Sequence, residues 1–457
     1  VIRTDIAPAL PASRDGGQNK RAASLGESSP NGAAGRVPVW VRRLYDSRLF
    51  LWFAPLMLLA GLAFVLLRAV VAPTQEVDFR FFWLAGKLWE MGIDPYSESF
   101  RQIGADILPP GNVVIYWFYP PQWWAICRAL ALMDLPQAVM AWRLASGLMI
   151  LAGTLVLVTT LATGRRSQRL ALAALVSGIA LLIEPTANLL AFGQSAGLVY
   201  LSLSLFVAGV LRKQGWLIGL ALFLATFKPQ VGAPMIVMVL IVPAFRVAAL
   251  GGLAGAGLLA LPQLFRFGWL ATIEEFLSNL RAWGDLGSNT PETSSGPINL
   301  LTRFGVHGID LGWQMGLAFA AMGLAGWLLR RRPDRAVEAM FFLTATIGAL
   351  MPLHIYDLTI LAIPLALFLV TASGSGGALF IVAVGVVLLA RPGRVERWLD
   401  VPQYGSNVSA GLISLDLLGL LLLALSLRAM LLSRMDDASD PGLDSWRSSG
   451  PPPAEWS

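Results

Sequence analysis

Charge is scarce in this chain: Asp, Glu, Lys and Arg make up only 14% of its 457 residues, against about 25% in soluble domains, while 56% are hydrophobic. That deficit excludes a water-soluble globular reading. Cysteine occurs once, at Cys127, so an intramolecular disulfide and a thiolate metal cluster are both excluded. A lone Cys in apolar surroundings reads as buried and structural. Histidine occurs twice, at His307 and His354, too few for a His-rich metal site, and any metal would have to be held by carboxylates. No metal and no cofactor are therefore expected.

What charge there is carries a pattern. The net charge is +6 and the pI is near 9.8. The arginines cluster just outside the apolar runs, where they set topology and meet anionic headgroups, so membrane lipids and not nucleic acid are the expected partners. Residues 1–44 lack apolar periodicity and read as a disordered cytoplasmic tail, as do residues 433–457. Residues 45–432 read as one membrane domain.

The first run, Phe50 to Val71, has about the ~20 residues that a bilayer requires and follows Arg36, Arg42, Arg43 and Arg48. It reads as an uncleaved signal anchor with a cytoplasmic amino terminus. Residues 72–136 read as one large external loop with interfacial helices, in which 120–133 is too short to span. Spans follow at about 137–163, 170–187 and 196–212. Between Arg212 and Arg246 the apolar stretch is broken by Lys228-Pro229-Gln230, which predicts two short helices meeting at a break. A further span runs to about Phe265, and 266–310 reads as external and polar. Spans at 311–330 and 336–352 flank the basic cluster Arg330-Arg331-Arg332 with Arg335, and 357–371, 377–390 and 410–431 complete the set. The expectation is an all-α polytopic bundle of about twelve transmembrane helices with both termini inside. Arg391, Arg394 and Arg397 fall on the external side in this reading, against the positive-inside rule.

The polar segments 72–136, 184–195, 228–230, 266–310 and 351–357 all fall on the outer side, which argues for work done at that face. Asp78 stands before a run of aromatics; it reads either as a carboxylate whose proton affinity is raised beside the bilayer, or as a helix N-cap. Gly92-Ile93-Asp94-Pro95-Tyr96 is turn chemistry with Asp94 structural. Tyr119-Pro120-Pro121 is an extended entry into a half-helix, its tyrosine facing a ligand or anchoring at the interface. Lys228 has no acidic residue near it in sequence; a bound phosphate would supply the partner, or the side chain would snorkel to the headgroups. Glu184, Asn188 and Gln194 either bind sugar hydroxyls or satisfy backbone groups. His354, Tyr356 and Asp357 form a polar knot at a helix junction, which is also a plain helix start.

Taken in order, Asp78-Phe79, Gly92 to Tyr96, Tyr119-Pro120-Pro121, Gly193-Gln194-Ser195, Lys228-Pro229-Gln230, Asn299 to Arg303 and His354 resemble glycosyltransferase family 87 of the GT-C superfamily, over roughly 75–370. The chain departs from the family pattern at Ile298-Asn299-Leu300 and at Pro352-Leu353-His354-Ile355-Tyr356. The resemblance implies a GT-C-like fold in a bacterial inner membrane, a polyprenyl-phosphate-linked sugar as donor (mannose favoured), and a lipid or glycan acceptor. It also implies Asp78 as base, with Lys228, Gln194, Asn188, Tyr119, Arg303 and His354 on the donor side and Glu184, Asn299, Tyr356 and Asp357 on the acceptor side or in support. A transporter or flippase of lipid-linked sugars, or a non-catalytic scaffold of envelope assembly, would share the basic groups without needing a base.

Overall fold

The computed structural model describes residues 47–71, 78–108, 114–162, 165–284, 286, 293–371, 376–399 and 411–438. The expected amino-terminal tail and most of the carboxy-terminal one lie outside them. The described residues form helices joined by turns. In chain order these are α1 (Arg48–Val70), α2 (Phe79–Met91), α3 (Ser99–Ile107), α4 (Trp124–Ala131), α5 (Leu135–Leu161), α6 (Arg166–Leu182) and α7 (Glu184–Phe192). Next come α8 (Ala196–Leu211), α9 (Gly215–Ala225), α10 (Pro229–Ile241), α11 (Arg246–Phe267), α12 (Trp269–Gly284) and α13 (Pro297–Arg303). The last are α14 (Leu311–Arg331), α15 (Ala336–Leu350), α16 (Ala362–Thr371), α17 (Gly376–Ala390), α18 (Pro392–Trp398) and α19 (Leu412–Ala438). The backbone of α19 thus stays helical past the expected domain boundary at 432.

Among the described residues five helices are long and apolar enough to cross a membrane: α1, α5, α11 with the turn before it, α14 and the first part of α19. Two bent pairs, α6 with α7 at 59° and α17 with α18 at 95°, raise the count to seven if each is one span. The expected dozen is therefore not what the helix lengths give. The remaining apolar runs form shorter helices such as α8, α9 and α10. An 11-residue helix rises only about 16 Å, roughly half a hydrocarbon core. α8 is buried along nearly its whole length, so its hydrophobicity serves packing against neighbours and not contact with lipid.

Local chemistry sets the boundaries. Ser47 accepts the Phe50 amide at 3.1 Å to start α1, and Asp134 accepts the Gln137 amide at 2.9 Å to start α5. α1 packs along α6, and Gly178 and Gly61 allow the close approach; a Cβ on Gly178 would stand 2.4 Å from the Met57 carbonyl oxygen, and one on Gly61 3.1 Å from the Gly178 carbonyl oxygen. On its other side α1 exposes Leu49, Trp52, Leu56, Leu59 and Leu66, a contiguous apolar surface that fits lipid and not water. The chain is a multi-pass membrane protein.

Residues 266–310 depart from the polar segment expected there. α12 has two faces: Leu270, Ile273, Leu277 and Leu280 point outward, while Thr272, Phe276, Asn279 and Trp283 turn toward the protein. That i, i+3, i+7 spacing escapes notice because Glu274, Glu275 and Arg281 interrupt the apolar residues along the sequence.

The ends of the bundle are told apart by contacts at the two ends of α19. Its start is held by Glu396, which accepts the Gly411 and Ser414 amides at 2.7 and 2.9 Å. Its Met430 carbonyl lies 3.5 Å from the Arg335 guanidinium, at the turn between α14 and α15. One end therefore carries Arg330–Arg335, and the other carries α18 and, through α7, the groups described next.

Candidate active site

Asp78 occupies the residue before α2, yet its backbone is helical (φ −85°, ψ −33°) and its side chain makes no capping hydrogen bond. The carboxylate is instead engaged from 116 residues away: Gln194 Nε2 donates to Asp78 Oδ2 at 2.5 Å. Part of Asp78 stays open to the surroundings. Burial of the carboxyl pushes its pKa above the ordinary value, opposed by the Gln194 hydrogen bond and by the charges of His354 and Lys228, and reinforced by Asp357.

The Gln194 position is built by three elements. α7 ends at Gly193 in the left-handed region (φ 64°), which turns the chain back at once. Trp142 of α5 donates its indole N–H to the Gly193 and Gln194 carbonyls at 2.9 and 3.2 Å. The next residue, Arg143, is buried and donates to Leu190 O at 2.7 Å and to Arg68 O at 3.0 Å, so one guanidinium meets the negative ends of both α7 and α1. Phe79 packs directly under Gly193, where an added Cβ would stand 2.6 Å from the Phe79 Cβ.

Tyr119 enters from the first loop. Its carbonyl accepts the Tyr96 hydroxyl at 2.5 Å, and its ring lies 4.5 Å from that of Phe82. Asp78 and Asp357 act electrostatically on its hydroxyl, and Gln194 hydrogen-bonds it; burial, the leading cause, drives that phenol well above its usual pKa. The same loop supports Lys228. Where α9 gives way to α10, the freed carbonyls of Thr226 and Phe227 accept from Gln122 Nε2 at 2.9 Å and from Trp123 Nε1 at 2.8 Å.

Lys228 does not wait for a ligand to balance its charge. Its ammonium forms an ion pair with Asp357, both side chains being almost fully buried, and it lies 5.3 Å from the Tyr356 ring centroid. The expectation of an internally unpartnered lysine is corrected here, because residues 357 and 228 are remote in sequence and adjacent in space. Asp357 also accepts the His354 amide at 3.4 Å. The His354 ring lies 5.3 Å from the Tyr356 ring and edge-on to Trp283 of α12 at 6.4 Å, with Nδ1 3.2 Å from Thr293 O. Burial lowers the His354 pKa, which favours the neutral imidazole.

Asp78, Tyr119, Gln194, Lys228, His354, Tyr356 and Asp357 are thus brought together. The other four candidates are not part of this cluster. Asn188 donates to Glu184 O at 3.1 Å within its own helix, and the charges acting on Glu184 are Arg391, Arg397, Arg394 and Glu396. Asn299 donates to Asp416 Oδ2 at 2.6 Å, while Arg303 Nε donates to Asn299 Oδ1 at 3.0 Å. Asp416, in the membrane-crossing part of α19, also accepts the Gly296 amide at 2.8 Å. Next to Gly296, the Ser295 amide donates to Leu353 O at 2.7 Å and its hydroxyl accepts the Leu353 amide at 3.1 Å, which ties this loop to His354.

Trp142, Arg143, Trp283 and Asp416 went unnoticed in the sequence. An arginine and an aspartate inside apolar runs were the available signal for two of them; nothing marks the tryptophans. Among the described residues no group of three or more His, Cys, Asp or Glu stands close enough to hold a metal ion.

Asp78, Gln194 and Lys228 thus belong to one acid, amide and cation cluster at one end of a multi-pass bundle of short and bent helices. The sequence profile of glycosyltransferase family 87 matches residues 117–364, more than half of the chain, and the protein belongs to that family. It is accordingly a membrane glycosyltransferase acting between a sugar donor and an acceptor. The matched span includes Tyr119, Gln194, Lys228, His354, Tyr356 and Asp357, whereas Asp78 precedes it and Asp416 follows it. No curated protein matches the chain.

Proposed function

We propose that the protein transfers a sugar, with mannose the favoured one, from a polyprenyl-phosphate donor to a lipid or glycan acceptor at the outer face of the bacterial inner membrane, inverting the anomeric carbon. The observation that carries this reading is the Asp78 carboxylate: free of any capping duty, hydrogen-bonded by Gln194, and set among Lys228, His354 and two tyrosines. In this reading the acceptor oxygen attacks the anomeric carbon while its proton passes to Asp78. The bond from that carbon to the phosphate oxygen breaks, and the electron pair leaves with the polyprenyl phosphate. A phosphate with a second pKa near ~6 needs no general acid to depart. It needs cations and donors nearby, and Lys228, with Gln194 and Tyr119 beside it, supplies them. The ion pair with Asp357 holds the ammonium in place for that contact.

Arg303, tethered through Asn299 to Asp416, belongs in this scheme to the acceptor or to the loop that carries His354. The scheme also carries a GT-C-like bundle of about twelve crossings, in which short apolar helices complete spans by meeting at breaks such as Lys228.

The test is transfer of radiolabelled sugar from a panel of polyprenyl-phosphate sugars into membrane lipids or glycans by purified protein. Wild type is expected to transfer at least one sugar and Asp78→Asn none, with donor binding kept by both. Equal transfer by the two proteins removes Asp78 from the base role. Donor binding with no transfer by either, in the presence of an acceptor-rich extract, favours a flippase of lipid-linked sugars.

A further inference from the structure

Arg391, Arg394 and Arg397 take no part in the cluster around Asp78, and they lie beyond the residues that the family profile matches. The chain bends by 95° between α17 and α18, and this turn throws α18 across the end of the bundle. The three arginines recur at every third residue and all three are exposed. They share an arc of the short helix with Trp398, which is 84% exposed. On the opposite side Glu396 is buried and bonded to the start of α19, so α18 is held with its arginine face outward. The carboxylates in this group are Glu184 of α7, half-buried, and Glu396 on the buried side of α18, which leaves an excess of one positive charge with all three guanidiniums on the exposed side. Among the described residues none of the three forms an ion pair.

This face is at the wrong end for a topology signal. The first 20 residues of α19, Leu412–Leu431, rise about 30 Å and separate α18 from Arg330–Arg335, the densest basic cluster. If Arg330–Arg335 is cytoplasmic, as the positive-inside rule requires, α18 lies at the outer surface. We infer that the Arg391–Arg394–Arg397 face binds anionic phospholipid headgroups at the outer membrane surface, with Trp398 and Leu399 seated among the lipids beside them. The face is exposed, which suits abundant headgroups already lying in the bilayer plane and not a scarce substrate that requires an enclosing pocket. Three guanidiniums supply forked donors for phosphate oxygens, and an exposed indole adjacent to them is an interfacial anchor. The inference does not depend on the sugar-transfer reading.

Purified full-length protein is exchanged into mixed micelles with equal phosphatidylglycerol and phosphatidylcholine, and the retained lipids are counted by native mass spectrometry. A basic residue at an anionic surface is worth roughly fivefold in binding. The Arg391→Gln/Arg394→Gln/Arg397→Gln variant is therefore expected to lose at least about tenfold of the phosphatidylglycerol preference, and the corresponding Lys variant to keep most of it. If the triple Gln variant does not remain monodisperse, Arg394→Gln alone is expected to lose a few-fold and to weaken the salt dependence. An unchanged preference in a folded Gln variant overturns the inference. So does labelling of Arg394→Cys by an impermeant maleimide from the cytoplasmic side, because the arginines would then be an ordinary topology signal.

Discussion

Lys228 and Asp357 stand 129 residues apart in the chain and form an ion pair with both side chains almost fully buried, against the ring of Tyr356. The pair joins the break between α9 and α10 to the turn that follows α15. Removing one partner strands the other charge in an apolar site, at a cost of about 3–5 kcal/mol. Lys228→Met is therefore expected to lower the thermal unfolding temperature sharply. Adding Asp357→Asn is expected to restore most of it, because Asn carries no charge yet can still accept the His354 amide. A double variant no better than Lys228→Met would refute this account.

A base works only when it is ionised. Burial raises the Asp78 pKa, so turnover is expected to fall, as pH is lowered, before the ordinary carboxylate value of 3.8 is reached. The Gln194 hydrogen bond stabilises the ionised form. Gln194→Ala is expected to move the acid limb of the pH–rate profile to higher pH, while Asp78→Asn abolishes transfer across the profile. An unmoved limb would separate Gln194 from the titration.

Gly193→Ala meets two obstacles at one residue: a left-handed backbone and a Cβ directed at Phe79. The conformational cost is about 1–2 kcal/mol and overpacking adds about 1–3 kcal/mol. Thermal unfolding is expected to show the loss. Phe79→Ala in the Gly193→Ala background is expected to recover little of it, because Ala keeps the Cβ that the new methyl meets.

Asp94 offers a pH test away from the cluster. Its Oδ1 accepts the Tyr96 amide at 3.0 Å and Gln263 Nε2 at 3.2 Å, yet burial, aided by Glu275, pushes its pKa up to about 6. A carboxyl whose folded pKa is raised stabilises the fold below 3.8, and that contribution is lost as pH rises through 6. Asp94→Asn keeps an oxygen for both donors and has no charge to bury. It is expected to be more stable than wild type at pH 8, with the advantage shrinking as pH falls below about 6 and gone below 3.8. An advantage that does not vary with pH would point to another cause.

Asp416 shows why part of the site was out of reach in the sequence. Its partners, Gly296 and Asn299, come from a segment more than a hundred residues earlier, and no local pattern joins them. The same holds for Trp283, whose meeting with His354 depends on the orientation of α12.

The sequence by itself determined the membrane environment, the order of the elements and the break at Lys228, because hydropathy, charge placement and proline or glycine punctuation act over a few residues. It also carried the match to the family over residues 117–364. Tertiary structure decided which of the polar residues meet. It joined Lys228 to Asp357 instead of leaving the lysine bare, sent Asn299 and Arg303 to Asp416, and turned Glu184 toward the α18 arginines. It also turned several expected spans into short buried helices, since a run of apolar residues is equally satisfied by lipid or by neighbouring helices and only the packing distinguishes the two.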